Sequence, residues 1–442
     1  MKKSILILSV ILLLFTLGGV RLLSDRKKEY NISVSDITNE DFTKDVYQKN
    51  ATYISGDKML SSNGRYICYD DMAKGVETAL CTVTDCMHNN GEQCNAIFAD
   101  DALQEFVTVY KQKLIVGGSS ESGLEFYTCD LDGTNHKQIA KAYYEDDMTY
   151  RFGTPDKNGK YPMQQLETAT FLSFVVDGTN VYIATNVQDT SEIKQMEDGK
   201  MTWGLTLGMI YCLNLETHEL RKVAETEEPF YANYLRIRYK DGDRIYLEQK
   251  GCKTPYEELY DLKTDKIKKD ADKEQLVSRG GYLTLSTGKV TWQEDYAYSD
   301  YIGSRGDERF FVELEGLGKT RATGVVRVED LHGNCKNTIR IKELKGQEYP
   351  ENACMYALSE GFVLTVCDNS TNDYLGDVYF YNEDGSLKTK SARSRNAVID
   401  ETKDYYLLAG SQISIGPTAY IRKDKIDNMN RNFVELYGGE DE

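Results

Sequence analysis

Asp177-Gly178-Thr179-Asn180 runs straight into Val181-Tyr182-Ile183-Ala184, a tight polar turn feeding a short apolar strand. The device returns as Asp241-Gly242-Asp243 before Arg244-Ile245-Tyr246-Leu247, and as Ser359-Glu360-Gly361 before Phe362-Val363-Leu364. Aspartate and glycine suit such turns because one bonds its own backbone and the other accepts positive φ. A second family of turns lies between them: Asp130-Leu131-Asp132-Gly133, Asn214-Leu215-Glu216-Thr217, Tyr260-Asp261-Leu262-Lys263, Asp330-Leu331-His332-Gly333 and Asn382-Glu383-Asp384-Gly385. Strand pairs recurring at intervals of about 40–70 residues are the sequence pattern of a β-propeller. Outer turns near residues 72, 132, 216, 263, 332, 384 and 425 give seven hairpin units, so the expectation is an all-β fold with one seven-bladed propeller. The uneven spacing leaves six or eight blades open, and the N-terminal strand region is expected to complete the last blade's sheet.

Composition agrees with many short strands: 442 residues carry only 6 Pro but 35 Gly and 32 Tyr. A net charge of −18 argues against nucleic acid, whose phosphates need basic surface. The expected layout is an apolar anchor at 1–20, a polar linker at 21–50, the propeller at 51–437 and an acidic tail at 438–442. The anchor is the run Ile5 to Val20, behind Lys2-Lys3 and ahead of Arg21 and Arg26-Lys27-Lys28. It is close to the lower length for a membrane span, about 17 residues. A single uncleaved transmembrane helix with the domain outside the membrane is the expectation; a cleaved leader at Thr16-Leu17-Gly18, giving a secreted domain, is the alternative. The 10 cysteines, scattered along the chain, are compatible with an oxidising compartment.

In a four-stranded blade the first–second and third–fourth turns share one end of the strands, and the remaining connections share the other. The tight turns fall at the first end. The long connections, Cys81–Asp101, Tyr143–Gln164, Gln188–Gly208, Trp292–Glu308 and Asp368–Gly376, fall at the second. Connections longer than about 12–15 residues are usually functional or disordered. Trp203, Trp292, Tyr296 and Tyr298 lie there beside acidic residues, as do Tyr143, Tyr144, Tyr150, Phe152, Tyr161 and Tyr301. They are the candidate ligand-binding residues, with loop pinning as the competing role. Stacking surface with carboxylates suits a protein, a peptide or a glycan.

Cys81-x4-Cys86-x-His88-x5-Cys94 is the one constellation with ligand-like spacing. Three thiols and an imidazole match a Cys3His zinc shell in composition, and four protein ligands would make the zinc structural. The competing reading is one local disulfide with the third thiol elsewhere. Cys354 and Cys367 are a second candidate pair: a two-residue loop at Glu360-Gly361 would set them opposite each other as a structural disulfide, whereas a longer turn separates them.

Near-misses carry no chemistry. Gly316-Leu317-Gly318-Lys319-Thr320 has Glu313 where a P-loop needs glycine, and Asp130-x-Asp132-Gly133 lacks the rest of a calcium loop. Of the 4 histidines, His136, His218 and His332 sit at turns, poor places for a catalytic triad. No catalytic residue is singled out.

The stretches Ala79-Leu80-Cys81, Cys86-Met87-His88 and Cys94-Asn95-Ala96 resemble an L-C…C-x-H…C-x-A segment of exported Gram-positive proteins of unknown function. Asp130 to Asn135 resembles the repeat of TolB-like and low-density-lipoprotein-receptor-type propellers. The resemblance implies a membrane- or wall-associated propeller and no activity. Such proteins are often lipid-anchored through a cysteine, which this chain lacks after its apolar run.

Three functions follow as expectations: a non-catalytic binding or scaffolding module for protein, peptide or cell-wall glycan; a carbohydrate-active hydrolase or lyase using paired carboxylates; and a sensor or assembly subunit of a membrane complex.

Overall fold

The structure is a computed structural model that describes residues 52–436, except 63, 84–85, 89–93, 99–102, 121–122, 153–154, 160–165, 169–172, 192, 194–201, 262–265, 294–298, 317–320, 350–351, 368–375, 392–393, 395 and 410–418. All described residues belong to one unit, Asp36–Glu442. The apolar run Ile5 to Val20 lies outside them, as do the linker and the acidic tail; no helix among the described residues is long and apolar enough to cross a membrane.

The strands form consecutive four-stranded antiparallel meanders. The first comprises Thr52–Ser55, Lys58–Ser62, Ile67–Asp71 and Val76–Ala79, and the second Leu103–Tyr110, Lys113–Ser120, Gly123–Asp130 and Lys137–Tyr143. The third is built of Ser173–Asp177, Asn180–Asp189, Leu205–Asn214 and Leu220–Glu225, with Leu166–Thr168 added beside its second strand. Phe230–Asp241, Arg244–Cys252, Leu276–Thr284 and Lys289–Trp292 make the fourth, which joins the third through a short pairing of Leu205-Thr206 with Phe230-Tyr231. Then come Ser299–Arg305, Glu308–Leu314, Ala322–Glu329 and Cys335–Arg340; next Ala353–Ala357, Phe362–Cys367, Gly376–Tyr381 and Leu387–Lys390; last Ala397–Glu401, Tyr405–Ala409, Ala419–Arg422 and Val434–Glu435. First strands of neighbouring meanders touch where Thr52–Ser55 meets Leu103–Tyr110, Ser173–Asp177 meets Phe230–Asp241, and Ala353–Ala357 meets both Ser299–Arg305 and Ala397–Glu401, which places these strands innermost. This is a β-propeller-like, all-β architecture.

Side-chain alternation explains why the strands read as continuous apolar runs. Val181, Ile183 and Val187 of one strand join a cluster with Phe106, Leu124 and Phe126 of the second meander. Their neighbours Tyr182 and Ala184 face the other way, into a cluster with Leu235, Ile237 and Leu247 of the fourth. With both faces buried, such a strand is apolar except where a polar side chain finds a partner, as Thr185 does with Tyr144 and Asn186 with the Leu235 backbone. Each large apolar side chain buried this way contributes about 1.5–3 kcal/mol.

The ring closes by packing. Met59 and Met72 of the first meander share an apolar cluster with Tyr405, Leu407, Tyr420 and Leu436 of the last. The expected completion of the last sheet by the N-terminal strand region does not occur among the described residues. Thr52–Ser55 pairs with Lys58–Ser62 instead, and Val434–Glu435 supplies the last meander's fourth strand. A second correction concerns the outer turn expected near 263. Tyr260–Asp261 and Lys266–Ile267 form a separate two-stranded sheet inside the connection between the fourth meander's second and third strands. The true outer turn of that meander lies at 285–288.

The third–fourth turns of the second and sixth meanders share one construction. Gly133 and Gly385 take φ +79° and +83°, and their N–H groups donate to Asp130 and Asn382 carbonyls. The Asp132 and Asp384 carboxylates accept from the N–H groups two residues on, those of Thr134 and Ser386. Each turn lies against the preceding meander: a Cβ at Gly385 would sit 2.5 Å from Ile339 Cγ2 and 3.0 Å from Arg340 O. Gly346 has a similar φ of +79° with nothing within 4 Å of such a Cβ. Gly385→Ala is therefore expected to cost about 2–4 kcal/mol and Gly346→Ala only about 1 kcal/mol, the difference being the seam contact. Denaturant midpoints of the two variants check this; equal losses would mean that backbone strain alone sets the cost.

Candidate functional site

The connection after Val76–Ala79 brings four donors together. One ligand atom from each of Cys81, Cys86, His88 and Cys94 lies within 4.8 Å of the other three, with His88 Nδ1 3.2 Å from Cys94 Sγ. Among the described residues this is the one such group of histidine, cysteine and carboxylate side chains. Cys94 is buried, the others half-buried. Local backbone sets the arrangement: Cys86 N–H donates to Val83 O, Ile97 N–H to Cys94 O, and His88 holds a left-handed φ of +52°. Burial pushes the Cys94 thiol up, to about 12, and pulls the His88 imidazole down.

Both flanks of the cluster are fixed. Ala96 O accepts from Ile67 N–H and Ile67 O from Leu80 N–H, tying the connection to the first meander. On the other side His136 Nε2 lies 2.7 Å from Asn95 O, and its ring stacks on Phe98 at 4.1 Å. Asn95 Nδ2 donates to Thr82 Oγ1 at 2.8 Å, joining the two flanks. The donors thus sit over the seam between the first meander and the outer turn of the second.

A charged network that sequence reading missed lies on the inner strands. Arg236 and Arg238, from the fourth meander's first strand, bond Asp300 of the fifth meander's first strand at 2.6 and 2.9 Å. Glu248, on the neighbouring strand, accepts from Arg236 Nε at 2.8 Å and also from Arg238. Lys250 stands 3.2 Å away. Burial opposes ionisation of Glu248, but the charges of Arg238, Lys250 and Arg236 outweigh it and hold the carboxyl at about 2. Arg236 and Arg238 likewise overcome burial and hold Asp300 well below the usual carboxylate range. Both are locked as anions, unable to act as proton donors near neutral pH. The available signal was Arg236-Ile237-Arg238, two charges alternating with apolar residues in a strand.

A second missed pair behaves oppositely. Asp70 and Glu77 face each other across the first meander's two outer strands. Asp70 is fully buried, with Ser61 Oγ donating to it at 3.3 Å. Burial pushes both carboxyls well up, and the Asp70 charge adds to the rise at Glu77.

Trp203 is 40% exposed, in the connection after Asn180–Asp189. Trp292 ends the fourth meander's outer strand at the same end, but Arg279 covers its ring at 4.1 Å and it packs on the core. Tyr296 and Tyr298 lie outside the described residues. Of the other aromatics expected in long connections, Tyr144 and Phe152 turn into the core; Tyr301 belongs instead to the strand Ser299–Arg305, where it is buried, and Tyr143 ends the strand Lys137–Tyr143 and stays exposed.

The Cys354–Cys367 disulfide is not formed. The hairpin pairs Ala357 with Phe362, so four residues rather than two make its loop, and Cys354 faces Thr365. Cys367 stands opposite Asn352, its N–H donating to Asn352 O at 2.7 Å, and carries a free thiol.

No family model and no curated protein matches the chain. Solved structures do. A prolyl endopeptidase is similar with a TM-score of 0.43 and 12% identity, over 86% of this chain and 47% of that one. Dipeptidyl peptidase 4 of Porphyromonas gingivalis has a TM-score of 0.42 and 10% identity, over 92% and 62%. Oligogalacturonate lyase of Vibrio parahaemolyticus has a TM-score of 0.43 and 11% identity, over 86% and 88%. This chain spans about half of the prolyl endopeptidase and under two thirds of the dipeptidyl peptidase.

The Asp70–Glu77 pair fixes the sign of one pH effect. A carboxyl whose folded pKa is raised keeps its proton where the unfolded chain has released it. The stability it carries is full below the ordinary carboxylate pKa of about 4 and is lost as pH rises through the folded value. Asp70→Asn, neutral at every pH, should raise the denaturant midpoint at pH 8 and change it little at pH 4. A midpoint lowered equally at both would mean that the carboxyl is needed for packing alone.

Proposed function

We propose that the chain is a seven-bladed β-propeller, held outside the membrane by its N-terminal apolar segment, that acts as a non-catalytic binding or scaffolding module. Its partner is a protein, a peptide or a cell-wall glycan, taken at the end of the ring that carries the long connections. The observation that carries the non-catalytic reading is the state of the carboxylates. A hydrolase or lyase built on paired carboxylates needs one member protonated and one ionised beside the substrate. Among the described residues, the inner-strand pair Asp300 and Glu248 is ionised on both members and clamped by arginine. The pair with raised affinity for protons, Asp70 and Glu77, belongs to outer strands. Seven consecutive meanders, with the last packed on the first, support the blade number.

Of the two tryptophans at this end, Trp203 offers the free stacking surface, and Trp292 is occupied by Arg279. Retention of the full-length chain on isolated cell-wall sacculi and on photo-crosslinked surface proteins tests the proposal. Trp203→Ala should reduce retention about tenfold, the loss of one aromatic anchor, with an unchanged melting temperature. Trp292→Ala should instead cost about 1–3 kcal/mol of stability through lost packing and its cation–π contact. Turnover of a cell-wall polysaccharide by the purified chain, or Trp203→Ala lowering stability and retention together, would overturn the reading.

A further inference from the structure

We propose that Cys81, Cys86, His88 and Cys94 bind one zinc ion as a closed structural site that clasps the 81–98 connection over the seam between the first and second meanders. The inference is independent of what the propeller binds.

Geometry favours a metal over a disulfide. Zinc bonds of about 2.3 Å to sulfur and about 2.0–2.1 Å to nitrogen set tetrahedral ligand separations near 3.4–3.8 Å. The four donor atoms all lie within 4.8 Å of one another, so shifts of about an ångström or less bring them to that spacing, and the His88–Cys94 pair, at 3.2 Å, needs only to open slightly. A disulfide would use two of the four and give no reason for the imidazole to aim Nδ1 at a thiol. His88 does so from a left-handed backbone position, which costs a non-glycine residue free energy that a bond to metal would offset.

The chemistry of the donors selects the ion. Three thiolates and an imidazole in a compact four-fold set suit zinc, whereas calcium and magnesium require oxygen. Binding is a ligand exchange: three S–H protons leave to solvent as three Zn–S bonds and one Zn–N bond form. The neutral imidazole contributes a lone pair, the shell carries a net charge of −1, and no electron is transferred. Four protein ligands leave no open coordination position, so the ion holds structure and performs no hydrolysis.

The fold shows what it would hold. The anchors on either side are separate hydrogen bonds and one ring stack: Ile67 to Ala96, Leu80 to Ile67, His136 to Asn95, Asn95 to Thr82, and Phe98 on His136. Val83 and Met87, beside the ligands, are 43% and 80% exposed, so among the described residues no apolar core gathers this tip. A metal linking Cys81 and Cys94, one from each flank, to Cys86 and His88 from the tip takes the place of that core.

Metal analysis of the full-length chain, made with zinc in the medium and purified without chelator, tests the site. One zinc per chain is expected, and replacement by Co(II) should give the visible and near-ultraviolet bands of a tetrahedral thiolate site. Cys86→Ser should cut the metal content at least tenfold; Cys335→Ser, an exposed cysteine in another meander, should leave it at one. The Co(II) spectrum is read on the unmodified chain, so it decides even if the variant fails to fold. Absence of metal together with a Cys–Cys crosslink among these residues would overturn the site, as would a zinc content indifferent to Cys86→Ser.

Discussion

Everything in this molecule depends on each sheet having to bury both of its faces. A strand sends alternate side chains to opposite sides, so a sheet with two apolar faces needs a neighbour on each. Phe106 and Val181 meet in one seam, Tyr182 and Ile237 in the next, and Phe310 and Phe362 further on. A row of such sheets would leave its two end faces wet. Bringing the last against the first removes both, and Met59 and Met72 against Leu407 and Tyr420 are the residues that do so. No shared strand is required among the described residues, because apolar burial supplies the closure.

The seam between the fourth and fifth meanders meets the same constraint with different chemistry. Tyr239, Tyr246, Tyr301 and Phe311 form its cluster, with Tyr239 stacked on Tyr246 at 4.3 Å. Arg309 lies over Tyr239 at 4.7 Å and Arg327 over Phe311 at 5.5 Å. Guanidinium groups can be buried here because aromatic faces and carboxylates receive them together. That arrangement helps explain so tyrosine-rich a chain. It also explains why acidic residues close to the ring's interior are poor candidates for acid–base work: Asp300 and Glu248 stay ionised because removing either would strand buried arginine charge.

What could be read in the sequence was the local chemistry of turns. Asp132-Gly133 and Asp384-Gly385 state their conformation, since an aspartate cap and a glycine at positive φ fit few other structures. What could not be read was anything set by the number of residues between them. Cys354 and Cys367 miss each other because the loop is four residues, not two, and strand composition is the same for either register. Tyr260-Asp261 looked like an outer turn because a hairpin inside a connection carries the same polar residues as one inside a sheet. The Cys-His segment was visible as composition, but the convergence of its donors depends on irregular backbone, including the left-handed His88, that no periodicity encodes.

The outer turns and the cysteine cluster answer one difficulty. Where two sheets meet at the rim, backbone approaches backbone too closely for side chains, and glycine is the residue that permits it. Gly133 lies against Leu80 O and Asn95 O, the residues that flank Cys81 and Cys94. At the corresponding place in the sixth meander, Gly385 meets a regular strand, Cys335–Arg340, whose ladder keeps its partner in position. Among the described residues the first meander has no strand at that point. Its outer strand ends at Ala79, and the turn of the second meander is met by irregular chain. What holds the described part of that chain against Gly133 and His136 is a few separate contacts, Ile67 to Ala96, His136 to Asn95 and Phe98 on His136, and the four converging donors lie beside them.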